Sequence, residues 1–361
     1  MLRELGLIRY RCFERFALEV PESRNTLIIG KNGSGKSTLA QGLNLLSLAA
    51  REPQTATHLA NSLVTPIDPN GTIFMVGADL GGQRVDYFLS LQPSSAAGRL
   101  EILFEQLFVD SLEFFHRAGR EITYWKPGVG WNNIASAEVP VLALAPDSPE
   151  IEVFNQLRSW LKRVIVISPA PQQIGEFAED GVQSLGVHGE HLASFYQSLI
   201  ATKPRAYEIF INKLRAFIPG VVETDSVSFP GGRKLVRVIF GRDQKLTIPL
   251  KELSDGEKMY FLAATLIAAQ DVDGPFTIFW DEPDHYLSLD AIQTFIQALR
   301  QTKGQFIATS HNAETINAFA TDEILVLQRE NYLSEPTMKR VSELDYGRDL
   351  VQALRLGEVY E

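Results

Sequence analysis

Residues Gly30–Ser37 read GKNGSGKS, directly after the apolar run TLIIG and directly before the helically spaced KSTLAQGLNLLSLAA. The spacing fits G-x-x-x-x-G-K-[ST]. Glycines there let the backbone fold back so that successive N–H groups point at phosphates, and the following helix start adds positive potential. The candidate cradle comprises Gly30, Asn32, Gly33, Ser34, Gly35, Lys36, Ser37 and Thr38. In it Lys36 would reach the β- and γ-phosphates of ATP, and the Ser37 hydroxyl would ligate Mg2+. Far downstream, TIFWDEPDHYLSLD ends an apolar strand in two carboxylates, where α/β sheets place their chemistry. Asp281 suits Mg2+ coordination, and Glu282 suits orienting or deprotonating an attacking water. An Asp-Glu-Pro turn alone is a common solvated feature; a phosphate loop in the same chain gives it a catalytic reading. The strand GQFIATS then ends at Ser310-His311-Asn312, where His311 can hydrogen-bond a γ-phosphate. His58, His116, His188, His191 and His285 have no comparable setting and read as structural or solvated.

A second phosphate socket stands at Leu253–Lys258, LSDGEK, which opens the long apolar run MYFLAATLIAA. A serine and a glycine at a helix start present unpaired N–H groups to an anion. It follows the first socket by more than two hundred residues.

The elements that must position these residues are legible in outline. Residues 1–30 alternate twice and then enter TLIIG; residues 36–50 have helical spacing; a polar loop of some twenty residues follows from Arg51. From 71 to 127 the texture is β, ending in a hairpin at RAG. Residues 150–163 read as a helix, VIVISP as a buried strand, and GEHLASFYQSLIA and RAYEIFINKLRAFI as amphipathic helices. The strand runs VSFPGGRKLVRVIF and KLTIPL come next. After LSDGEK the chain alternates strand and helix through FTIFWDEP, SLDAIQTFIQALRQT, GQFIATS and EILVLQ.

Composition bounds the rest. The 361 residues carry 45% apolar and 22% charged side chains and a net charge of −10, a globular profile that argues against a broadly basic nucleic-acid-coating surface. Cys12 is the only cysteine, which excludes intrachain disulfides and cysteine metal clusters. No apolar stretch approaches the ~20 residues of a membrane span, and charge interrupts the N-terminus, so a soluble cytoplasmic protein is expected. Arg158, Lys162, Arg163, Lys213, Arg215, Arg233, Lys234 and Arg237 are the positions open to nucleic acid, with solvated helix and hairpin faces the plainer reading.

The order P-loop, LSDGEK, WDEP, TSH resembles the ABC-type ATPases, in which a signature similar to LSGGQ lies just before the Walker B strand. That resemblance implies an α/β fold: an ABC-ATPase-like P-loop head with an antiparallel β subdomain and a helical insertion. It implies ATP and Mg2+ as ligands, and a head-to-tail dimer in which each signature closes on the γ-phosphate held by the other copy, through Ser254 and the N–H of Gly256. Asp255 and Glu257 stand where transporter signatures have Gly and Gln, an acidic pair that Lys258 or Mg2+ must offset. The Q-loop glutamine, a Mg2+ ligand, falls to Gln172 or Gln173; Ser288 takes the D-loop spacing, with Asp290 two residues on.

Within that family, the length between P-loop and signature and the phrases LSDGEKMYFLAATLIA and DEPDHYLSL resemble the RecF/SMC-related ATPases of bacterial defence and DNA maintenance. Residues from LGVHGEHL to AFIPGV resemble single-polypeptide AAA ATPases near the overcoming-lysogenization-defect nucleases. The resemblance implies one composite head over 1–361, with core lobes 1–90 and 220–361 and an inserted lobe 91–219. It implies an ATP-driven switch acting on a separate effector, a nuclease or toxin, since no metal-binding nuclease pattern follows His311. DNA repair or chromosome maintenance is the alternative, as is a low-turnover ATP-binding scaffold. A transporter would need a shorter insertion, and a small-molecule kinase would need no signature.

Overall fold

The computed structural model describes residues 1–51, 54–61, 63, 66–94, 99–124, 136–144, 151–182, 184–344 and 350–356. Parts of three sequence readings lie outside these residues: the β texture past Tyr124, Glu150 at the head of the expected helix, and pieces of the loop after Arg51. The chain divides into two compact units, Met1–Val166 with Thr321–Glu361, and Ile167–Ala320.

In the first unit the two alternating stretches become β1 (Leu2–Tyr10) and β2 (Phe13–Glu19), and TLIIG becomes β3 (Asn25–Ile29). Helix α1 (Lys36–Arg51) follows, then a short helix α2 (Ala56–Ala60) inside the stretch expected to be all loop. Five more strands come in order: β4 (Thr72–Leu80), β5 (Gln83–Pro93), β6 (Leu100–Val109), β7 (Leu112–Ala118) and β8 (Glu121–Tyr124). Together they make a seven-stranded antiparallel sheet, β2-β1-β4-β5-β6-β7-β8. Period-2 alternation drives it: Val85, Tyr87, Leu89 and Leu91 of β5 are all buried. Helices α3 (Val141–Leu144) and α4 (Glu152–Arg163) follow.

The chain's end returns to its beginning. Strand β16 (Ile324–Gln328) pairs parallel with β3, placing Val326 beside Ile29, and β17 (Thr337–Arg340) pairs antiparallel with β16; a terminal helix α10 spans Leu350–Leu356. Leu39, Leu43, Leu46 and Ala50 recur at helical spacing and bury one face of α1. Its approach to the sheet is close: a Cβ on Gly42 would stand 2.5 Å from Leu7 Cδ2.

A buried ion pair fastens the far side of this sheet. Arg117 and Glu105 have fully buried side chains, 2.6 Å apart. Glu105 also accepts from the Tyr87 hydroxyl (2.7 Å) and the Val141 N–H (2.8 Å), and Arg117 donates to the carbonyls of Gly119, Ser136 and Val139. Burial and the Glu105 carboxylate push the Tyr87 phenol well above its ordinary range, so it stays a donor.

The second unit follows β9 (Ile165–Ile167), which lies at the join in the chain. Strand β10 (Phe177–Ala178) joins β11 (Val221–Ser228), β12 (Lys234–Phe240) and β13 (Leu246–Pro249) in an antiparallel sheet; helices α5 (Leu192–Thr202) and α6 (Pro204–Phe217) precede β11. The LSDGEK stretch starts α7 (Asp255–Asp273), which is buried on nearly every side from Met259 to Gln270. Tyr196, Phe210 and Phe261 close around it with ring centroids 4.6–5.0 Å apart. Strand β14 (Thr277–Asp281), α8 (Leu289–Arg300), β15 (Gln305–Ser310) and a short α9 (Ala313–Ile316) complete the unit. β14 and β15 run parallel with Thr277 opposite Gln305 and Asp281 opposite Thr309. Gln270 sets that register from α7, donating to the Phe276 carbonyl and accepting from the Gly304 N–H. Among the described residues no helix is long and apolar enough to cross a membrane.

Arg117→Ala leaves the Glu105 carboxylate buried without its cation, a change that destabilises proteins by about 3–5 kcal/mol. The urea midpoint of the variant should fall accordingly, and an unchanged midpoint would show that this pair does not hold the sheet.

Candidate functional site

The phosphate loop lies wholly in the first unit, at the end of β3. Gly33 and Gly35 adopt φ of 81° and 113°, conformations side chains resist. Space forbids a side chain as well. A Cβ on Gly35 would stand 2.7 Å from Phe13 Cζ and 3.0 Å from Cys12 Sγ, and one on Gly30 would stand 2.5 Å from the Leu327 carbonyl oxygen. Helix α1 starts as Thr38 N–H and Leu39 N–H bond the Gly35 carbonyl. Lys36 is buried, and its ammonium donates to the carbonyls of Gly30 (2.8 Å) and Lys31 (3.3 Å). The Ser34 hydroxyl is buried with no hydrogen-bond partner among the described residues. Ser37 is exposed at the first turn. The Arg11 guanidinium reaches the Thr38 hydroxyl at 3.4 Å from the β1–β2 turn. A glycine-lined cradle, a cation at its floor and an orphaned hydroxyl fit a polyphosphate.

The carboxylates stand in the second unit at the end of β14. Asp281 is buried; its Oδ1 accepts from the Thr309 hydroxyl at 2.5 Å, and Ser168 Oγ lies 3.5 Å from its Oδ2. The same Thr309 hydroxyl accepts the Glu282 N–H at 3.0 Å. Glu282 has φ of 52°, the left-handed region, which costs a side-chain-bearing residue about 1–2 kcal/mol. Asp284 holds the turn in that shape, accepting from the hydroxyls of Ser310 (2.6 Å) and Thr315 (2.7 Å). The Glu282 carboxylate then stands between two imidazoles: His311 Nδ1 at 3.4 Å and His285 Nδ1 at 3.6 Å. His311 and Glu282 thus meet, and His285, read from sequence as structural or solvated, belongs to the same cluster. Asp284 and Thr309 had no role in the sequence reading; their partners lie roughly thirty residues away and leave no local signal. Asp281 offers carboxylate oxygen of the kind a hard divalent cation such as Mg2+ takes, while among the described residues no group of three or more His, Cys, Asp or Glu side chains is arranged to hold a metal ion by itself.

The signature helix start lies in the second unit too. Ser254 caps α7 in a capping box: its hydroxyl accepts the Glu257 N–H, while Glu257 Oε2 accepts the Ser254 N–H (2.8 Å) and hydroxyl (2.7 Å). Glu257 therefore occupies the Ser254 donors expected to meet a phosphate, but not the N–H of Gly256. The S-x-x-E spacing carried that signal in the sequence. A Cβ on Gly256 would stand 3.2 Å from the Tyr286 carbonyl oxygen. The Tyr286 phenol is pushed up by burial and by the Asp255 and Glu282 carboxylates. Lys258 is buried, 3.9 Å from Asp255, and Gln172 Nε2 donates to Asp255 at 3.4 Å. Of the two glutamines, Gln172 thus turns to the signature helix. Ser288 sits at the N-cap position of α8, and its hydroxyl, with backbone N–H groups, holds the Asp290 carboxyl below its ordinary range.

The basic positions scatter. Arg158 is buried and bonds Asn155 at 2.9 Å, so it is not a surface cation as expected, because α4 turns it inward. Arg237 is bound to Asp225 at 2.6 Å, and Arg215 donates to the Val222 carbonyl. Lys162, Arg163 and Arg233 are exposed, and Lys213 and Lys234 are half-buried.

Comparison with known proteins adds the lineage. A family model described as "AAA domain, putative AbiEii toxin, Type IV TA system" matches residues 26–317. Among solved structures the chain is similar to an SMC head bound to the C-winged helix domain of ScpA. That likeness has 12% identity and a TM-score of 0.56, and covers 95% of this chain and 99% of that one. It is also similar to an SMC head domain with an extended coiled coil, bound to the C-terminal domain of ScpA derived from Pyrococcus furiosus; identity is 11%, TM-score 0.53, and coverage 99% and 98%. At these identities the likeness establishes the fold, an ABC-ATPase-like head. No curated protein matches the chain.

Thr309→Val removes the hydroxyl shared by Asp281 and the Glu282 N–H. The unsatisfied amide should lower stability by about 1–3 kcal/mol, read as a fall in the urea midpoint. Thr309→Ser, which keeps the hydroxyl, should restore most of it; a loss in Thr309→Ser with none in Thr309→Val would assign the effect to the methyl group.

Proposed function

The chain belongs to this family of AAA domains, and from that premise we propose that it binds and hydrolyses ATP as a head that pairs with a second copy around the nucleotide and thereby switches a separate effector. The observation that carries the reading is the built turn at Glu282, where a strained backbone is held by Thr309 and Asp284 and the carboxylate is set between His285 and His311. A solvated acidic turn needs none of that.

Each residue then has a task. The N–H groups of the Gly30–Thr38 loop bind the phosphates, and Lys36 leaves its own loop's carbonyls for the β- and γ-phosphates. Ser37 and Asp281, with Gln172 as the Q-loop residue, hold Mg2+, which when bound neutralises developing charge on the phosphates. Glu282 orients the attacking water and takes its proton, and His311 bonds the γ-phosphate. Ser254 and the N–H of Gly256 contact the ATP of the opposite copy. For that, the opposite γ-phosphate takes the place of the Glu257 carboxylate on the Ser254 donors. Core lobes 1–90 and 220–361 carry this machinery apart from Gln172, which belongs to the inserted lobe 91–219, in a cytoplasmic protein. SMC heads bound to ScpA domains support partner binding by heads of this fold, and the family description, which names a putative AbiEii toxin and a type IV TA system, supports a setting that involves a toxin; a separate nuclease or toxin effector in defence is our reading.

Glu282→Gln keeps the side-chain shape and loses the base. It should bind ATP, slow turnover at least a hundredfold and accumulate pairs; turnover within a few-fold of the parent removes Glu282 from the role.

Complementation tests the trans arrangement. Lys36→Ala should not bind ATP, and Ser254→Arg should bind it but neither pair nor hydrolyse. Mixed in equal amounts, the two inactive chains rebuild one good composite site and should recover part of the activity. No recovery, with mixed pairs seen by native mass spectrometry, would reduce LSDGEK to an ordinary helix start.

A further inference from the structure

The turn between β16 and β17, Arg329–Glu335, lies against the phosphate loop in the first unit. Arg329 donates to the Gly33 carbonyl at 3.3 Å, to the Ser334 carbonyl at 2.9 Å and to the Tyr332 carbonyl. Asn331 accepts the N–H groups of Leu333 (2.8 Å) and Ser334 (3.1 Å), and Glu335 accepts the Arg15 N–H at 2.6 Å. The turn is therefore ordered before anything binds it, so docking on it loses little conformational freedom. Tyr332 comes so close to Gly33 that a Cβ there would stand 3.1 Å from its hydroxyl.

Two large apolar side chains of this braced turn are nonetheless bare, beside the exposed Glu330, Asn331 and Glu335. Tyr332 is 79% exposed and Leu333 98% exposed. In the second unit, Leu289 is 68% exposed at the first position of α8, directly after Ser288, and Asp290 follows it. The charges beside the two leucines are opposite. Arg329 meets carbonyls and a ring but no carboxylate among the described residues; Asp290 is held by Ser288 and backbone N–H groups and has no cation in reach among them.

We infer that the Arg329–Glu335 turn is a docking surface for a second copy of this chain, with Leu333 packing on Leu289 and Arg329 facing Asp290 of the other copy. The inference rests on the head-to-tail pairing proposed above. A partner that closes over the phosphate loop must cover the side chains braced against Gly33. The complement it needs, a bare leucine beside an unpaired carboxylate, stands at the D-loop position of the same chain. A two-fold pair satisfies both halves twice, whereas an unrelated effector would not require the chain to carry both.

The experiment uses the full chain with Glu282→Gln, which holds ATP-bound pairs. Pair formation is followed by analytical ultracentrifugation with and without ATP, and nucleotide affinity with a fluorescent ATP analogue. Adding Leu333→Asp should raise the protein concentration needed for pairing at least tenfold while nucleotide affinity stays within twofold, and Leu289→Asp should do the same. In a Cys12→Ser background, a Leu333→Cys chain mixed with a Leu289→Cys chain should form an ATP-dependent intermolecular disulfide that neither forms alone. If the Glu282→Gln parent never pairs, the pairing reading fails and this inference with it. If the parent pairs and Leu333→Asp pairs equally well, or Leu333→Cys links to itself, the inference alone is overturned.

Discussion

One hydroxyl, that of Thr309, holds together the end of two strands on which the acidic half of the site depends. It donates to the buried Asp281 carboxylate and accepts the N–H of Glu282, so it fixes one side chain and the backbone of the next residue together. It can do so only because β14 and β15 are parallel and in register, Asp281 opposite Thr309. That register is set at the other end, where Gln270 bonds both the Phe276 carbonyl and the Gly304 N–H, and the Thr277 hydroxyl bonds Gln305. Gln270 is positioned in turn by the burial of α7. A displacement in the apolar core would therefore reach the carboxylates as a shift of register.

The phosphate loop obeys a different constraint, which is space. Phe13 and Cys12 press on Gly35, Tyr332 on Gly33, and the Leu327 carbonyl on Gly30. Each glycine is required by a neighbour, and Gly33 and Gly35 by their own backbone as well. With the loop's shape imposed from outside, Lys36 can rest on the loop's carbonyls without collapsing it. A polyphosphate bound there would replace those carbonyl contacts with stronger charge-assisted ones.

The sequence carried what is local. GKNGSGKS, the alternation of the early strands and the 3.6-residue spacing of α1 are periodic or contiguous, and the structure follows them. Strands β10 and β17 were invisible because they are short and gain their ladder partners from distant chain. The roles of Asp284 and His285 were missed for the same reason: an aspartate and a histidine in DEPDH look solvated until Ser310, Thr315 and Glu282 are brought beside them. Arg158 misled in the opposite sense, since a cation on an amphipathic helix is ordinarily outward-facing and here is buried. The capping box differs from these. Ser254 and Glu257 are three apart before an apolar run, a pattern readable without any structure, and reading the stretch as a phosphate socket hid the fact that it also caps its own helix.

The left-handed backbone of Glu282 sets stability and side-chain chemistry at odds. Glycine is the residue that conformation favours, and this chain carries glutamate there against a steric penalty that Thr309 and Asp284 offset. A laboratory selection that rewards only heat resistance or expression yield would find relief at this position and accept it. The resulting chains would be sturdier and would have discarded their carboxylate, so libraries built on this scaffold need a second screen that checks whether the carboxylate is still there.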